Sequence, residues 1–132
     1  MGLGSNIQPQ KHLIDAIRSL NAQMEVNVLA QSPVLVNPPC GDSFHFVFHN
    51  QLLLLQSPLL KEALKKRLEQ IELTLGREAK TPARKLNDRT IDIDIISAGK
   101  TIQALFSTPL EEDYNRKIMT LWPEIDDLIV IS

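Results

Sequence analysis

Between Thr90 and Ile96 isoleucine and aspartate alternate, with Ile91, Ile93 and Ile95 set against Asp92 and Asp94. Successive side chains of a strand point to opposite faces, so this period of two sends the isoleucines to one side and both carboxylates to the other. The pattern predicts a strand over 90–96 in a sheet that buries one face. The Cα atoms of Asp92 and Asp94 then stand roughly 6.5 Å apart. Two carboxylates so close repel each other unless a cation or a proton intervenes. A hard divalent ion, or two ions sharing the pair, relieves that repulsion, and oxygen-only ligands favour magnesium. The same alternation also describes an edge strand whose outer face is simply solvated.

The rest of the chain supplies the partners of that strand. Leu13, Ile14, Ile17, Leu20 and Met24 recur at helical spacing, predicting a helix from about Gln10 to Met24, with Pro9 as an early helical residue and Asn6 able to cap its approach. Val26 to Val36 reads as a strand kinked at Ser32-Pro33. Asn37 to Asp42 is a loop by its turn chemistry. A long strand follows, with Phe44, Phe46, Phe48, Asn50, Leu52 and Leu54 on one face. Ser57-Pro58 opens a second helix whose buried stripe is Leu60, Leu64, Leu68, Ile71 and Leu75, and Gly76 ends it. Arg77 to Asn87 is polar, aperiodic and carries Arg77, Lys80, Arg84 and Lys85, so a mobile loop is expected. After the Ile/Asp strand come a turn near Ala98-Gly99, a short strand at Thr101-Ile102, an acidic turn at Glu111 to Asp113, a helical stretch near Asn115 to Leu121 and a closing strand from Leu128 to Ile131.

With Gly2-Leu3-Gly4 counted as a first strand, the order is β-α-β-β-α-β plus a C-terminal extension. That is an α+β class, ferredoxin-like arrangement: an antiparallel sheet with two helices on one face and the other face open to a ligand. A chain of 132 residues is one domain's worth, expected to span 1–132, and 43% apolar residues suffice for a core. A net charge of −2 argues against a broad nucleic-acid face. The lone Cys40 excludes an internal disulfide or a thiolate cage. The longest apolar run, Leu52 to Leu55, is too short for a membrane span, and the start lacks a signal peptide's basic and greasy segments, so a cytoplasmic protein is expected.

Other signals are individually weaker. Gly2-x-Gly4-Ser5-Asn6 lies between strand and helix, where bare backbone can approach a ligand, or where a βα turn is merely tight; it lacks the lysine of a phosphate-binding P-loop. Asn50, in an apolar strand face, offers both donor and acceptor to a heteroaromatic edge, or is a satisfied structural amide. Arg89 and the cationic loop beside the carboxylate pair are what a polyphosphate bound through a metal requires.

These pieces occur together. Gly4-Ser5-Asn6, Pro38-Pro39-x-Gly41, Phe48-x-Asn50, Glu72-x-x-x-Gly76-Arg77, the Arg89–Ile95 heptad, and Asn115-Arg116 before Leu121-Trp122-Pro123 stand in an order that resembles the 6-hydroxymethyl-7,8-dihydropterin pyrophosphokinase family of folate biosynthesis. The resemblance runs from Gly2 to about Ile125. It implies transfer of the β,γ-pyrophosphoryl group of ATP to the pterin's hydroxymethyl oxygen, with release of AMP, by a monomer that acts on small molecules and on neither nucleic acid nor membrane. Asp92, Asp94 and Arg89 are implied as catalytic, the two aspartates holding two magnesium ions. Glu69, Glu72, Arg77, Arg84, Lys85, Arg89, Ile95 and Arg116 are implied at ATP, the loop from Arg77 to Lys85 closing as a lid. Gly4, Asn37, Pro38, Phe48, Asn50 and Ile118 are implied at the pterin.

Departures from the family pattern accompany the match. Few apolar residues precede the Gly-Ser-Asn turn. Leu110-Glu111 stands where a His-Tyr pair is expected, Ile118 where an aromatic is, and Lys85-Leu86 where Arg-Trp is. The alternative to an active enzyme is a non-catalytic or weakly active paralogue that keeps pterin or nucleotide binding.

Overall fold

The computed structural model describes residues 1–37, 48–76, 91–106 and 109–125. Nine elements lie in them: β1 (Gly2–Ser5), α1 (Pro9–Asn21), β2 (Asn27–Gln31), β3 (Leu35–Asn37), β4 (Phe48–Gln56), α2 (Lys61–Thr74), β5 (Asp92–Asp94), α3 (Ile102–Phe106) and α4 (Asp113–Thr120). The strands form one antiparallel sheet in the order β2-β4-β1-β5, with β3 also paired to β4. The α+β, ferredoxin-like class expected from the alternating periods is the fold observed.

Glycines do not keep β1 from being a strand, because it is clamped between β4 and β5. The kink at Ser32-Pro33 separates β2 from β3. There the Ser32 N–H donates to the Leu52 carbonyl at 2.9 Å, and the Leu52 N–H donates to Ser32 Oγ at 2.8 Å. A hydroxyl thus replaces the ladder bond that the proline interrupts. β5 is shorter than 90–96. It pairs only where β1 offers Gly2–Gly4, and Ile95 and Ile96 leave the ladder.

Helices α1 and α2 pack on one sheet face. Leu3, Leu13, Leu20, Leu53, Leu68 and Ile93 belong to that core, each at most 6% exposed. Burying a side chain of this size contributes about 1.5–3 kcal/mol, so these residues set the helices' attachment. The buried side of α1 is rotated from the expected stripe: His12 and Ala16 are buried, while Ile14 is 57% and Met24 98% exposed. α1 ends at Asn21, before Met24 could be carried under the helix. Its cap is Gln8, held at φ 43°, not Asn6, which is itself buried; Pro9 takes the first helical position as expected. On α2, Leu68 and Ile71 are buried but Leu60 is 78% exposed. Ser57 Oγ accepts the Leu59 N–H at 3.2 Å, a local turn that delays the helix to Lys61. Gly76, at φ 99°, ends α2 as read.

The opposite sheet face carries a second core of Leu52, Leu54, Ile118, Trp122 and Ile125 beneath α4. The strand expected at Thr101-Ile102 is instead the start of α3: Thr101 Oγ1 accepts the Ala104 N–H at 3.1 Å, capping a helix and overriding the β preference of both residues. Asp113 of the acidic turn belongs to α4. Phe44, Phe46 and the strand expected over Leu128–Ile131 lie outside the described residues.

Candidate active site

Register places the site. Gly4 of β1 is paired with Asn50 on one side and Asp92 on the other, and Gly2 with Leu52 and Asp94. Paired residues of adjacent strands share a face, so Asn50, Asp92 and Asp94 project to the side away from α1 and α2. Between them β1 contributes only glycine. A Cβ on Gly4 would lie 3.0 Å from Asn50 Nδ2, and one on Gly2 would lie 2.8 Å from Ile96 Cδ1. The central strand therefore forms a bare backbone floor flanked by an amide and two carboxylates, which is the physical use of the Gly-x-Gly in the sequence.

This floor opens into a cavity of about 270 Å³. Its opposite wall comes from the segment entering α4, with Glu111, Glu112, Tyr114 and Asn115. Asp92 is half-buried and Asp94 exposed. Among the described residues that line it there is no lysine or arginine, so the walls are rich in hydrogen-bond acceptors and negative charge. No group of three or more His, Cys, Asp or Glu able to hold a metal gathers among the described residues. A pair of carboxylates without further protein ligands suits a magnesium ion that keeps waters and shares a substrate's phosphates.

The carboxylate pair is held from behind. Ile93, between the two aspartates, faces the helical core at 6% exposure, and its backbone N–H donates to Glu72 Oε2 of α2 at 3.1 Å. Among the described residues β5 is the last strand of the sheet, and a carboxylate from the helix accepts its outward N–H.

Of the residues implied by resemblance, Gly4, Asn50, Asp92, Asp94 and Ile95 line the cavity together. Phe48 is half-buried, two positions from Asn50 in β4, and is not among the lining residues. Asn37 ends β3, paired with Phe48. Glu69 is half-buried on α2, behind the sheet. Glu72 is only 4% exposed, and its Oε2 accepts the Ile93 N–H. Arg116 points away: its guanidinium donates to the Leu110 and Glu111 carbonyls and to Asp113, and it lines a second, apolar cavity of about 370 Å³ beside Met119 and Trp122. Ile118 is fully buried with Leu52, Leu54, Trp122 and Ile125 and is not among the residues lining the cavity. Pro38, Arg77, Arg84, Lys85 and Arg89 lie outside the described residues.

The sequence reads as a solvated turn at Glu111–Asp113 and assigns Asn115 no role of its own, yet Glu111, Glu112 and Asn115 line the cavity. The available signal for Asn115 was its place on the stripe Asn115, Ile118, Met119, Trp122, where an apolar residue would serve the core.

Residues 1–125 match the family of 7,8-dihydro-6-hydroxymethylpterin-pyrophosphokinases. The chain is 33% identical over 97 residues to a 2-amino-4-hydroxy-6-hydroxymethyldihydropteridine pyrophosphokinase of Campylobacter jejuni, an overlap that takes in 73% of this chain and 60% of that protein. It is 31% identical over 105 residues to the protein of the same name from Helicobacter pylori, with 77% and 63% covered. The chain thus matches about three-fifths of the length of these relatives.

Proposed function

Since the chain belongs to the 7,8-dihydro-6-hydroxymethylpterin-pyrophosphokinase family, we propose that it transfers pyrophosphate from ATP to 6-hydroxymethyl-7,8-dihydropterin in folate biosynthesis. The observation that carries this reading is the row Asn50–Gly4–Asp92, with Asp94 beside it, on the wall of one cavity.

In the proposed reaction the hydroxymethyl oxygen forms a bond to the β-phosphorus of ATP, the bond from that phosphorus to the α,β-bridging oxygen breaks, AMP leaves and the hydroxyl proton is lost to water. The protein's part is positioning and charge balance. Gly4 leaves room for a flat ring against the strand, and Asn50 offers it donor and acceptor. Asp92 and Asp94 are the residues that would hold magnesium, two ions in this reading, which when bound neutralises phosphate charge. Glu72 keeps β5, and with it both aspartates, against the sheet. Arg77, Arg84, Lys85 and Arg89 are the cations this reading assigns to the triphosphate and to a lid. The reading makes residues 1–132 one catalytic domain, acting as a cytoplasmic monomer; no helix among the described residues is long and apolar enough to cross a membrane.

A second reading, binding without turnover, is favoured by one observation: Glu111 and Glu112 line the cavity while Arg116 is engaged with Leu110, Glu111 and Asp113. Incubation with ATP, magnesium and the hydroxymethyl pterin separates the two. AMP accumulation supports the enzyme, and ligand binding without AMP supports the second reading.

A further inference from the structure

Among the described residues, one buried side-chain polar atom has no hydrogen-bond partner: Asn115 Oδ1. An amide oxygen shut from water and left unpaired destabilises the fold, so its presence asks for a reason. The described residues supply none. Asn115 sits in the first turn of α4, 5% exposed, on the stripe that carries Ile118 and Trp122 into the core. Leucine would fill that position with no orphaned atom. Instead an amide lines the cavity that holds Gly4, Asn50 and Asp92.

The chemistry of the remaining wall narrows what an amide there could meet. Asp92, Asp94, Glu111 and Glu112 contribute carboxylates, and the described lining residues include no lysine or arginine. Where no metal neutralises these carboxylates an anionic group finds repulsion, whereas a neutral ring bearing N–H donors finds acceptors. Oδ1 is covered as the side chain stands. A half-turn about the soft χ2 torsion, which exchanges the two amide ends, is the motion this reading requires to present the oxygen to the cavity.

We propose that Asn115 is a binding residue for the heteroaromatic substrate, its Oδ1 accepting a hydrogen bond from a ring or amino N–H of the pterin. The proposal rests on the pyrophosphokinase reading of this cavity. It makes Asn115 a determinant of pterin affinity that the fold itself would do better without.

The test is calorimetric titration of the chain, Asn115→Leu and Asn115→Ser with 6-hydroxymethyl-7,8-dihydropterin in magnesium and a non-hydrolysable ATP analogue, together with the melting temperature of each. Loss of the contact is expected to weaken pterin binding by about tenfold or more. Nucleotide affinity should change by less than about twofold, an order-of-magnitude allowance for a distant effect. The melting temperature of Asn115→Leu should equal or exceed that of the parent, because an orphaned acceptor has been removed. Should leucine prevent folding, the smaller serine poses the same binding question. Unchanged pterin affinity in a folded variant overturns the proposal, as does a lowered melting temperature with pterin and nucleotide affinities falling together. A parent chain that binds pterin but releases no AMP sinks the enzymatic reading and leaves this comparison decisive; a parent chain that binds no pterin overturns both.

Discussion

The carboxylate of Glu72 stands 3.1 Å from the backbone nitrogen of Ile93. A helix on the core side of the sheet thereby grips the one residue that separates Asp92 from Asp94. Asp92 and Asp94 are bonded to β1 through their backbones, while Ile93 presents its N–H outward. The strand is short, and this bond gives its outward N–H an acceptor on the side where no further strand lies among the described residues.

Glu72→Ala should therefore cost about 1–3 kcal/mol, the penalty for leaving a buried N–H without its acceptor. It should also lower AMP release. Glu72→Gln retains an acceptor oxygen of the same shape and should recover most of both. Urea unfolding and the AMP assay check this; a stable, active alanine variant would contradict it.

Gly4→Ala places a methyl group 3.0 Å from Asn50 Nδ2. The amide must turn away or the strands must part. Pterin affinity should fall by about tenfold, the equivalent of one displaced hydrogen bond, with the chain still folded. Calorimetry on the folded variant decides, and undiminished affinity would show that the bare floor has no part in binding.

Gln8 occupies the left-handed region at φ 43° ahead of α1. Glycine adopts that conformation without steric cost, so Gln8→Gly should stabilise the protein by about 0.5–1 kcal/mol. A lowered denaturation midpoint would contradict this assignment of strain.

Arg67 on α2 reaches Glu25, just beyond α1, through two bonds, at 2.6 and 3.3 Å. The hydrogen bond from Arg67 holds the Glu25 carboxyl below the ordinary carboxylate range. A depressed carboxylate stabilises the fold above its unfolded pKa, and that contribution fades as pH falls through the lowered folded value. In a carbon-13 NMR titration Glu25 should titrate lower in the parent chain than in Arg67→Met. Equal midpoints would show the bridge to be absent in solution.

Much of this architecture can be read from local chemistry. The Ile91–Ile95 alternation, the Gly-x-Gly strand, the Ser32-Pro33 break, Pro9 and Gly76 each act through their own backbone or their nearest neighbours, so spacing alone conveys them. Cross-strand register is not legible in the sequence, and it is register, Gly4 opposite both Asn50 and Asp92, that brings Asn50, Asp92 and Asp94 to one side. What escaped depends on tertiary choice. Thr101-Ile102 carries β-branched side chains, but a hydroxyl that caps its own chain turns them into a helix start. A stripe containing Ile14 and Met24 is as helical as one containing His12 and Ala16, and only the packing partners select between them. Glu72 and Arg116 show that a charged residue within a family motif can be engaged by the fold's own backbone, and Arg116 by Asp113 as well, which spacing cannot reveal. Ile118 follows the same logic in apolar form, since the second core claims it completely.

The most direct test of the account is AMP release by the parent chain and by Asp94→Asn under saturating ATP, magnesium and hydroxymethyl pterin. Asp94 is solvent-exposed, and its replacement should lower turnover by about 10²-fold or more, the scale expected when a metal-holding, charge-balancing group is removed. Parent-level turnover by the asparagine variant would contradict the claim that the paired aspartates of β5 are the seat of the chemistry.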